Sequence, residues 1–284
     1  MTIERVGVVG AGQMGGGIAE VCAKAGADVL VFEPTQELID AGKARITASL
    51  ERAKAKGKLA ADDFEVAVGN LRYTTNLADL ADRQLTIEAI IEDEAVKAKV
   101  FAQLDEIVTD PDAVLASNTS SIPIMKIAAA TKNPGRVLGL HFFNPVPVLP
   151  LVELVSTLVT TDEAAARVEQ FAGETLGKQV VRCKDQSGFV VNALLVPYLL
   201  SAVRMVESGV ATVEDVDRAI VAGLSHPMGP LRLSDLIGLD TMKLIADAMY
   251  DELKDAHYAA PPLLQRMVEA GQLGKKSGKG FYTY

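Results

Sequence analysis

Tryptophan is absent from this chain, histidine occurs three times and cysteine twice. The two cysteines, Cys22 and Cys183, lie far apart and match neither a CxxC pair nor a zinc-ligand spacing. A disulfide framework and a metal site are therefore not expected. Two buried free thiols in a reducing compartment are. Basic residues are also in deficit. The formal net charge of −9 argues against a broad nucleic-acid face, because phosphate neutralisation dominates such binding. Long apolar runs are missing too. The longest, "ALLVPYLLSAV" at 193–203, carries a proline and a tyrosine and falls short of the roughly 20 residues needed to cross a bilayer. The first residues, "MTIERVGVVGAG", place an acid at Glu4 and show no signal-peptide pattern. The expectation is a cytoplasmic protein with no membrane or nucleic-acid partner.

What is present is a 284-residue chain with 49% hydrophobic residues, enough for one large or two ordinary domains and too apolar for disorder. The first part alternates strand and helix signals. Strands are expected at 5–10, 27–33, 84–90, 113–118, 136–142 and 178–183. Helices are expected at 13–26, from Gln36 to Lys56, and from Asp62 to Val68. Such alternation predicts a mostly parallel sheet covered on both faces. After "DQSGF" at 185–189 the pattern turns helical until the last few residues. One long helix is expected from Phe189 to Gly209, bent at Pro197. Another is expected to start at Thr212, with Asp215 completing an approximate capping box. The expected fold is thus an α/β Rossmann-like dinucleotide-binding domain over residues 1–185, followed by an all-helical domain over 186–284.

The strongest local signal is "GAGQMG" at 10–15, a G-x-G-x-x-G that follows an expected strand and opens an expected helix. Gly10 suits a tight turn, Gly12 admits a pyrophosphate close to the backbone, and Gly15 lets helix and strand pack. Ala11, Gln13 and Met14 complete the loop. Glu33 closes the second strand, eighteen residues after Gly15. An acid there hydrogen-bonds the adenosine ribose and repels a 2′-phosphate, which favours NAD over NADP. FAD uses the same fingerprint, but no second flavin signal accompanies it.

Oxidation of an alcohol by a nicotinamide cofactor needs a base near neutrality, and histidine supplies one. His141 falls at the carboxyl end of an expected strand, the edge where parallel sheets bind ligands. The stiff loop "NPVPVLP" follows it, and then Glu153 within "LPLVELVS". A carboxylate on that returning segment orients an imidazole and stabilises imidazolium. "SNTSS" at 117–121 offers hydroxyls and an amide at the same edge, and Asn192 sits in an otherwise apolar helix. Taken singly, each has a plainer reading. A histidine at a strand end is usually structural, Ser/Thr clusters are usually turns or caps, and Glu153 suits an exposed strand position. Their convergence at one sheet edge favours catalysis. His226 reads as structural or domain-contacting, and His257 as a surface residue.

The segments "VGVVGAGQMGGGIA", "IEAIIEDEAVK", "ASNTSS", "HFFNPVPVLPLVEL", "SGFVVNALLVPY", "HPMGPLRLSDLIGLD" and "GKKSGKGFYTY" resemble the 3-hydroxyacyl-CoA dehydrogenase family. Within it they resemble the stand-alone bacterial enzymes acting on 3-hydroxybutyryl-CoA. The resemblance runs from residue 5 to the last residue. It implies NAD-dependent interconversion of (S)-3-hydroxyacyl-CoA and 3-oxoacyl-CoA, with short chains expected, and a homodimer formed through the helical domain. It makes His141 the acid/base and Glu153 its orienting partner. Ser120 and Asn192 match residues that hold the reacting oxygen or the histidine. Asn118 and Asn144 match residues near cofactor and thioester, and Glu92, Lys97 and Lys276 match cofactor contacts. Ser49 and Lys56 match a serine and lysine that bind CoA phosphates, which gives the basic patch "RAKAKGK" a use despite the acidic whole. A solvated helix end remains the plainer account of Lys54 and Lys58. The competing readings are a dehydrogenase of a free hydroxy acid or sugar acid on the same fold, and a non-enzymatic NAD(H) sensor.

Overall fold

The protein is described here by a computed structural model covering residues 2–284. It divides into two compact units, one ending at Asp185 and the other running from Gln186 to Tyr284.

The first unit is built on eight strands: β1 (Arg5–Val9), β2 (Asp28–Phe32), β3 (Leu71–Thr74), β4 (Leu85–Glu88), β5 (Val114–Ser117), β6 (Val137–Phe142), β7 (Leu151–Ser156) and β8 (Gln179–Lys184). They form one sheet in the order β3-β2-β1-β4-β5-β6-β7-β8. The pairings from β3 to β6 are parallel. β7 turns back antiparallel to β6, and β8 runs parallel to β7. Six helices belong to this unit: α1 (Gln13–Lys24), α2 (Gln36–Ala55), α3 (Ala61–Gly69), α4 (Glu94–Ile107), α5 (Ile124–Ala128) and α6 (Asp162–Gln170). Every residue of β4, β5 and β6 is buried, as in a parallel sheet covered on both faces. Val6, Val8, Val29 and Val31 pack against Ile18 and Cys22 of α1 and Ile46 and Leu50 of α2. Each such fully buried aliphatic side chain contributes about 1.5–3 kcal/mol relative to exposure. The order reverses between β1 and β4, so the crevice at their carboxyl ends is the place where this topology takes ligands.

Several elements differ from the sequence expectation. β3 and β7 were not among the expected strands. β4 ends at Glu88 rather than at residue 90. In the second unit, the helix expected from Phe189 starts at Val191, because Gly188 and Phe189 both adopt left-handed backbone at φ 79 and 49. This helix, α7 (Val191–Glu207), runs through Pro197. Four more follow it: α8 (Val213–Leu224), α9 (Pro230–Ile237), α10 (Leu239–Leu253) and α11 (Pro262–Glu269). Thr212 caps α8, its side chain accepting from the Asp215 N–H at 3.1 Å. Asp215 does not reach back to the Thr212 backbone. Its carboxylate takes the Thr212 hydroxyl at 2.9 Å and pairs with Arg218. Leu199, Leu200 and Val203 of α7 meet Leu231, Met242, Met249 and Leu264 in a second core. The buried Asp235 holds the last segment by accepting from the N–H groups of Phe281 and Tyr282, each at 2.9 Å.

Candidate active site

The glycine loop joins β1 to α1. Gly10 has φ +101, and a Cβ there would meet the Ala89 carbonyl oxygen at 2.6 Å. A Cβ on Gly15 would lie 1.9 Å from the Gly10 carbonyl oxygen. Gly12 is different: nothing lies within 4 Å of where its Cβ would be. Gly10 and Gly15 are therefore glycine for the sake of the fold, and Gly12 for the sake of open space. Gly12 is also the N-cap of α1, which has no side-chain cap and no acid in its first turn. The donors at this helix end, on Gln13 and Met14 among others, suit a pyrophosphate. Glu33, half-buried just past β2, accepts from the Ala11 N–H at 2.5 Å. Arg45 of α2 donates to the Ala11 carbonyl at 2.7 Å. The Ala11 peptide is thus gripped on both sides, by a carboxylate the sequence marked and a guanidinium it did not. An uncapped helix end, an open glycine and a fixed acid after the second strand fit a dinucleotide.

His141 is the fifth residue of β6, and Glu153 the third of β7. They are direct partners in the antiparallel register. Residues opposite each other in such a pair project to the same face. His141 Nδ1 lies 2.7 Å from Glu153 Oε2, and their side chains are 7% and 0% exposed. Glu153 is therefore not the exposed strand residue that its sequence neighbours also suited. A carboxylate accepting in this bond takes the hydrogen of Nδ1, and in the matching neutral tautomer the lone pair is on Nε2. Phe143 packs beside the imidazole, with ring centroids 4.5 Å apart. The buried Asn118 accepts from the Phe142 N–H at 2.9 Å, tying the loop after β5 to the end of β6.

A buried ionic cluster lies two strands away, beyond β5. Glu88 ends β4 and is fully buried; Lys97 of α4 is 1% exposed. The Lys97 Nζ is 2.5 Å from Glu88 and 3.3 Å from Glu92. Glu88 also accepts from the Ile90 N–H at 2.7 Å and the Ser117 hydroxyl at 2.6 Å. Glu92 Oε1 takes the hydroxyls of Thr119 and Ser121 and the N–H groups of Ser120 and Ser121. Burial pushes the Glu92 carboxyl up, but the Lys97 ammonium and these hydrogen bonds outweigh it and hold the group below its ordinary range. "SNTSS" is thus a loop wrapped around one carboxylate, with Ser120 partly exposed at its tip. Glu88 was not singled out in the sequence, and Ser117 and Thr119 were marked only within "SNTSS", since the parallel pairing of β4 with β5 is what sets Glu88 beside Ser117.

The remaining marked residues lie elsewhere. Ser49 is half-buried on α2, and Lys56 is the exposed C-cap of that helix. Glu20 of α1 is buried and hydrogen-bonded to Ser49. Burial raises its pKa against the opposing pull of Ser49, Lys24 and Arg52. Lys54 lies over the Phe64 ring, 4.7 Å from its centroid, so it packs rather than only hydrates. Asn144 is exposed in the loop after His141. Asn192 and Lys276 belong to the second unit. Asn192 is buried in the first turn of α7, and Lys276 pairs with Asp240 at 2.6 Å. His226 is exposed, its ring edge-on to Tyr198 with centroids 6.1 Å apart. His257 is exposed as expected.

Fold and site together define an oxidoreductase of the nicotinamide-dinucleotide class, with a His–Glu dyad at the carboxyl edge of its sheet. Comparison with known proteins narrows this. The model described as "3-hydroxyacyl-CoA dehydrogenase, NAD binding domain" matches residues 5–186, and "3-hydroxyacyl-CoA dehydrogenase, C-terminal domain" matches 188–284. The chain is 74% identical over 282 residues to a Mycobacterium tuberculosis protein named 3-hydroxybutyryl-CoA dehydrogenase, covering 99% of each. Its fold superposes on the crystal structure of Mycobacterium tuberculosis FadB2 with TM-score 0.98 and 74% identity, covering 100% of both chains. The structure of (S)-3-hydroxybutyryl-CoA dehydrogenase PaaH1 from Ralstonia eutropha matches with TM-score 0.95 and 41% identity, over 100% of this chain and 99% of that one. The chain belongs to the 3-hydroxyacyl-CoA dehydrogenase family, with an NAD-binding first domain.

Proposed function

We propose that the protein interconverts (S)-3-hydroxybutyryl-CoA and acetoacetyl-CoA with NAD, using His141 as acid/base. The observation that carries the catalytic part is the buried His141–Glu153 bond at the edge of a dinucleotide sheet. The substrate rests on the names of the relatives above. The nicotinamide, when bound, accepts or donates the hydride at C3. In the oxidising direction the Nε2 lone pair of neutral His141 takes the C3 hydroxyl proton, and Glu153 stabilises the imidazolium that results. In the reducing direction imidazolium returns that proton to the developing alkoxide. Ser120, fixed by Glu92 through its backbone N–H, offers its hydroxyl to the same oxygen, a role often worth a few kcal/mol.

Gly10, Gly12 and Gly15, with Ala11, Gln13 and Met14, cradle the pyrophosphate in this reading, and Glu33 holds the adenosine ribose. Glu92, Lys97, Asn118 and Asn144 serve the nicotinamide half. Ser49 and Lys56 take the CoA phosphates. Asn192 and Lys276 keep the roles that the resemblance gives them. The protein acts as a homodimer. Leu194, Val210, Leu224, Leu236 and Leu244 of the second unit are large apolar residues more than half exposed, which supports a protein partner for that unit. Among the described residues no helix is long and apolar enough to cross a membrane.

The test compares substrates. Turnover of acetoacetyl-CoA with NADH is expected to exceed that of free acetoacetate by orders of magnitude, and to fall along a series of longer 3-oxoacyl-CoA thioesters. Equal turnover of the free acid would replace this reading with the hydroxy-acid alternative. Light scattering on a sizing column tests the dimer, which a monomer at micromolar concentration would overturn.

A further inference from the structure

The cluster at the ends of β4 and β5 holds two carboxylates and one ammonium. Each hydrogen bond of Glu88 is one that its carboxylate accepts, and Glu92 likewise accepts from the 119–121 loop. The cluster is therefore one negative charge out of balance. Structure alone does not require this. A Glu88–Lys97 pair is neutral, and a buried charge left over is costly. The surplus sits at a defined place. Glu88 and Lys97 are sealed, while the Glu92 side chain is 25% exposed and faces the loop that carries Ser120. In the sheet order, β4 and β5 lie across the switch point from β2 and β3. The adenosine half of a dinucleotide belongs with Glu33 at the end of β2, and the nicotinamide half with β4 and β5. The nicotinamide ring is cationic when oxidised and neutral when reduced.

We propose that Glu88 is a positioning residue that acts through Lys97 and Glu92 to set the site's preference for the oxidised over the reduced cofactor. Lys97 is shared between Glu88 and Glu92, so it cannot neutralise both, and the negative charge left over lies on the Glu92 side, where a cation can reach it. The nearby Glu94 does not supply the surplus, since it pairs with Lys126 at 2.7 Å. Asp93 is an exposed cap whose carboxylate accepts from the Val96 N–H. Because Glu88 and Lys97 are buried, added salt screens the effect little. The inference rests on the reading that NAD occupies this crevice.

The test is equilibrium binding of NAD+ and of NADH to Glu88→Gln, Glu88→Asp and wild type, measured calorimetrically. Glu88→Gln keeps the shape and removes one negative charge. The ratio Kd(NAD+)/Kd(NADH) is expected to rise by about five- to tenfold, the scale on which one partly buried unit charge acts on another. Glu88→Asp retains the charge and is expected to keep the wild-type ratio. A merely structural role would weaken both forms by the same factor and leave the ratio unchanged, which overturns the proposal. Should Glu88→Gln fail to fold, Glu92→Gln makes the same charge change at a part-exposed position and is expected to shift the ratio in the same direction. No shift there also overturns the proposal. Wild type that binds neither form of NAD would instead remove the cofactor reading beneath it.

Discussion

His141 and Glu153 face each other across the only antiparallel step among the described sheet pairings, Nδ1 to Oε2 at 2.7 Å. The reversal of β7 makes this possible. A parallel continuation would carry the chain away on a crossover, whereas residues 143–150 return it at once with the carboxylate in register.

Glu153 therefore fixes which ring nitrogen carries the hydrogen. Glu153→Gln keeps the volume and no longer enforces the tautomer. Turnover is expected to drop by about 10²–10⁴-fold while NADH affinity stays within twofold or so of wild type. Equal losses in both, measured by steady-state kinetics and by NADH titration, would assign Glu153 to folding alone.

The glycine loop separates two kinds of glycine. Gly12→Ala places a methyl in open space, and the entropic gain of alanine is offset by its poorer N-capping, so stability is expected to stay within about 1 kcal/mol of wild type, while NADH affinity falls at least tenfold or so. Gly15→Ala drives a methyl into the Gly10 carbonyl and is expected to lower the melting temperature as well. Calorimetry and NADH titration of both variants check this. Unchanged NADH binding in Gly12→Ala would place the pyrophosphate elsewhere.

Lys56 is exposed at the end of α2. Lys56→Ala is expected to raise KM for acetoacetyl-CoA about tenfold with kcat retained. It is expected to leave the KM for the pantetheine thioester, which lacks the distal phosphates, unchanged. A rise with both substrates would mean that the lysine does not read those phosphates.

Asp105 and Arg136 form a buried pair, 2.8 Å apart with side chains 1% and 8% exposed. Burial pushes the Asp105 carboxyl up, but the Arg136 guanidinium and the Lys132 N–H hold it below the ordinary range. A depressed folded pKa adds stability that is complete above the unfolded value near 4 and is lost as pH falls towards the folded one. Asp105→Asn is expected to cost about 3–5 kcal/mol near neutrality, and the gap to wild type should narrow below about pH 4. Denaturant unfolding at several pH values measures it. A gap that widens on acidification would contradict the sign.

The parts of this architecture legible in the sequence are those written locally. "GAGQMG" announces its turn through glycine sterics, and His141 is conspicuous because histidine is scarce. β3 is not legible because "LRYT" is only four residues long, too short for its alternation to stand out, and none of the four is fully buried. β7 was missed as a strand because "LVELVS" is a short apolar run after three prolines, which periodicity alone cannot assign. The Glu88–Lys97–Glu92 cluster was only partly visible. Glu92 and Lys97 came through resemblance. Glu88 sits in an apolar run whose burial partners, Ser117 and Lys97, are set by strand order and not by spacing. Ser49's bond to Glu20 likewise depends on how α1 meets α2.

The most direct measurement of the central claim is the rate of NADH oxidation with acetoacetyl-CoA by wild type and by His141→Ala, with NADH binding measured on both. The account predicts rapid turnover by wild type, a loss of about 10²–10⁴-fold in the variant, and NADH affinity nearly the same in each. A His141→Ala protein that turns over near the wild-type rate would remove His141 from the chemistry, and the dyad with it.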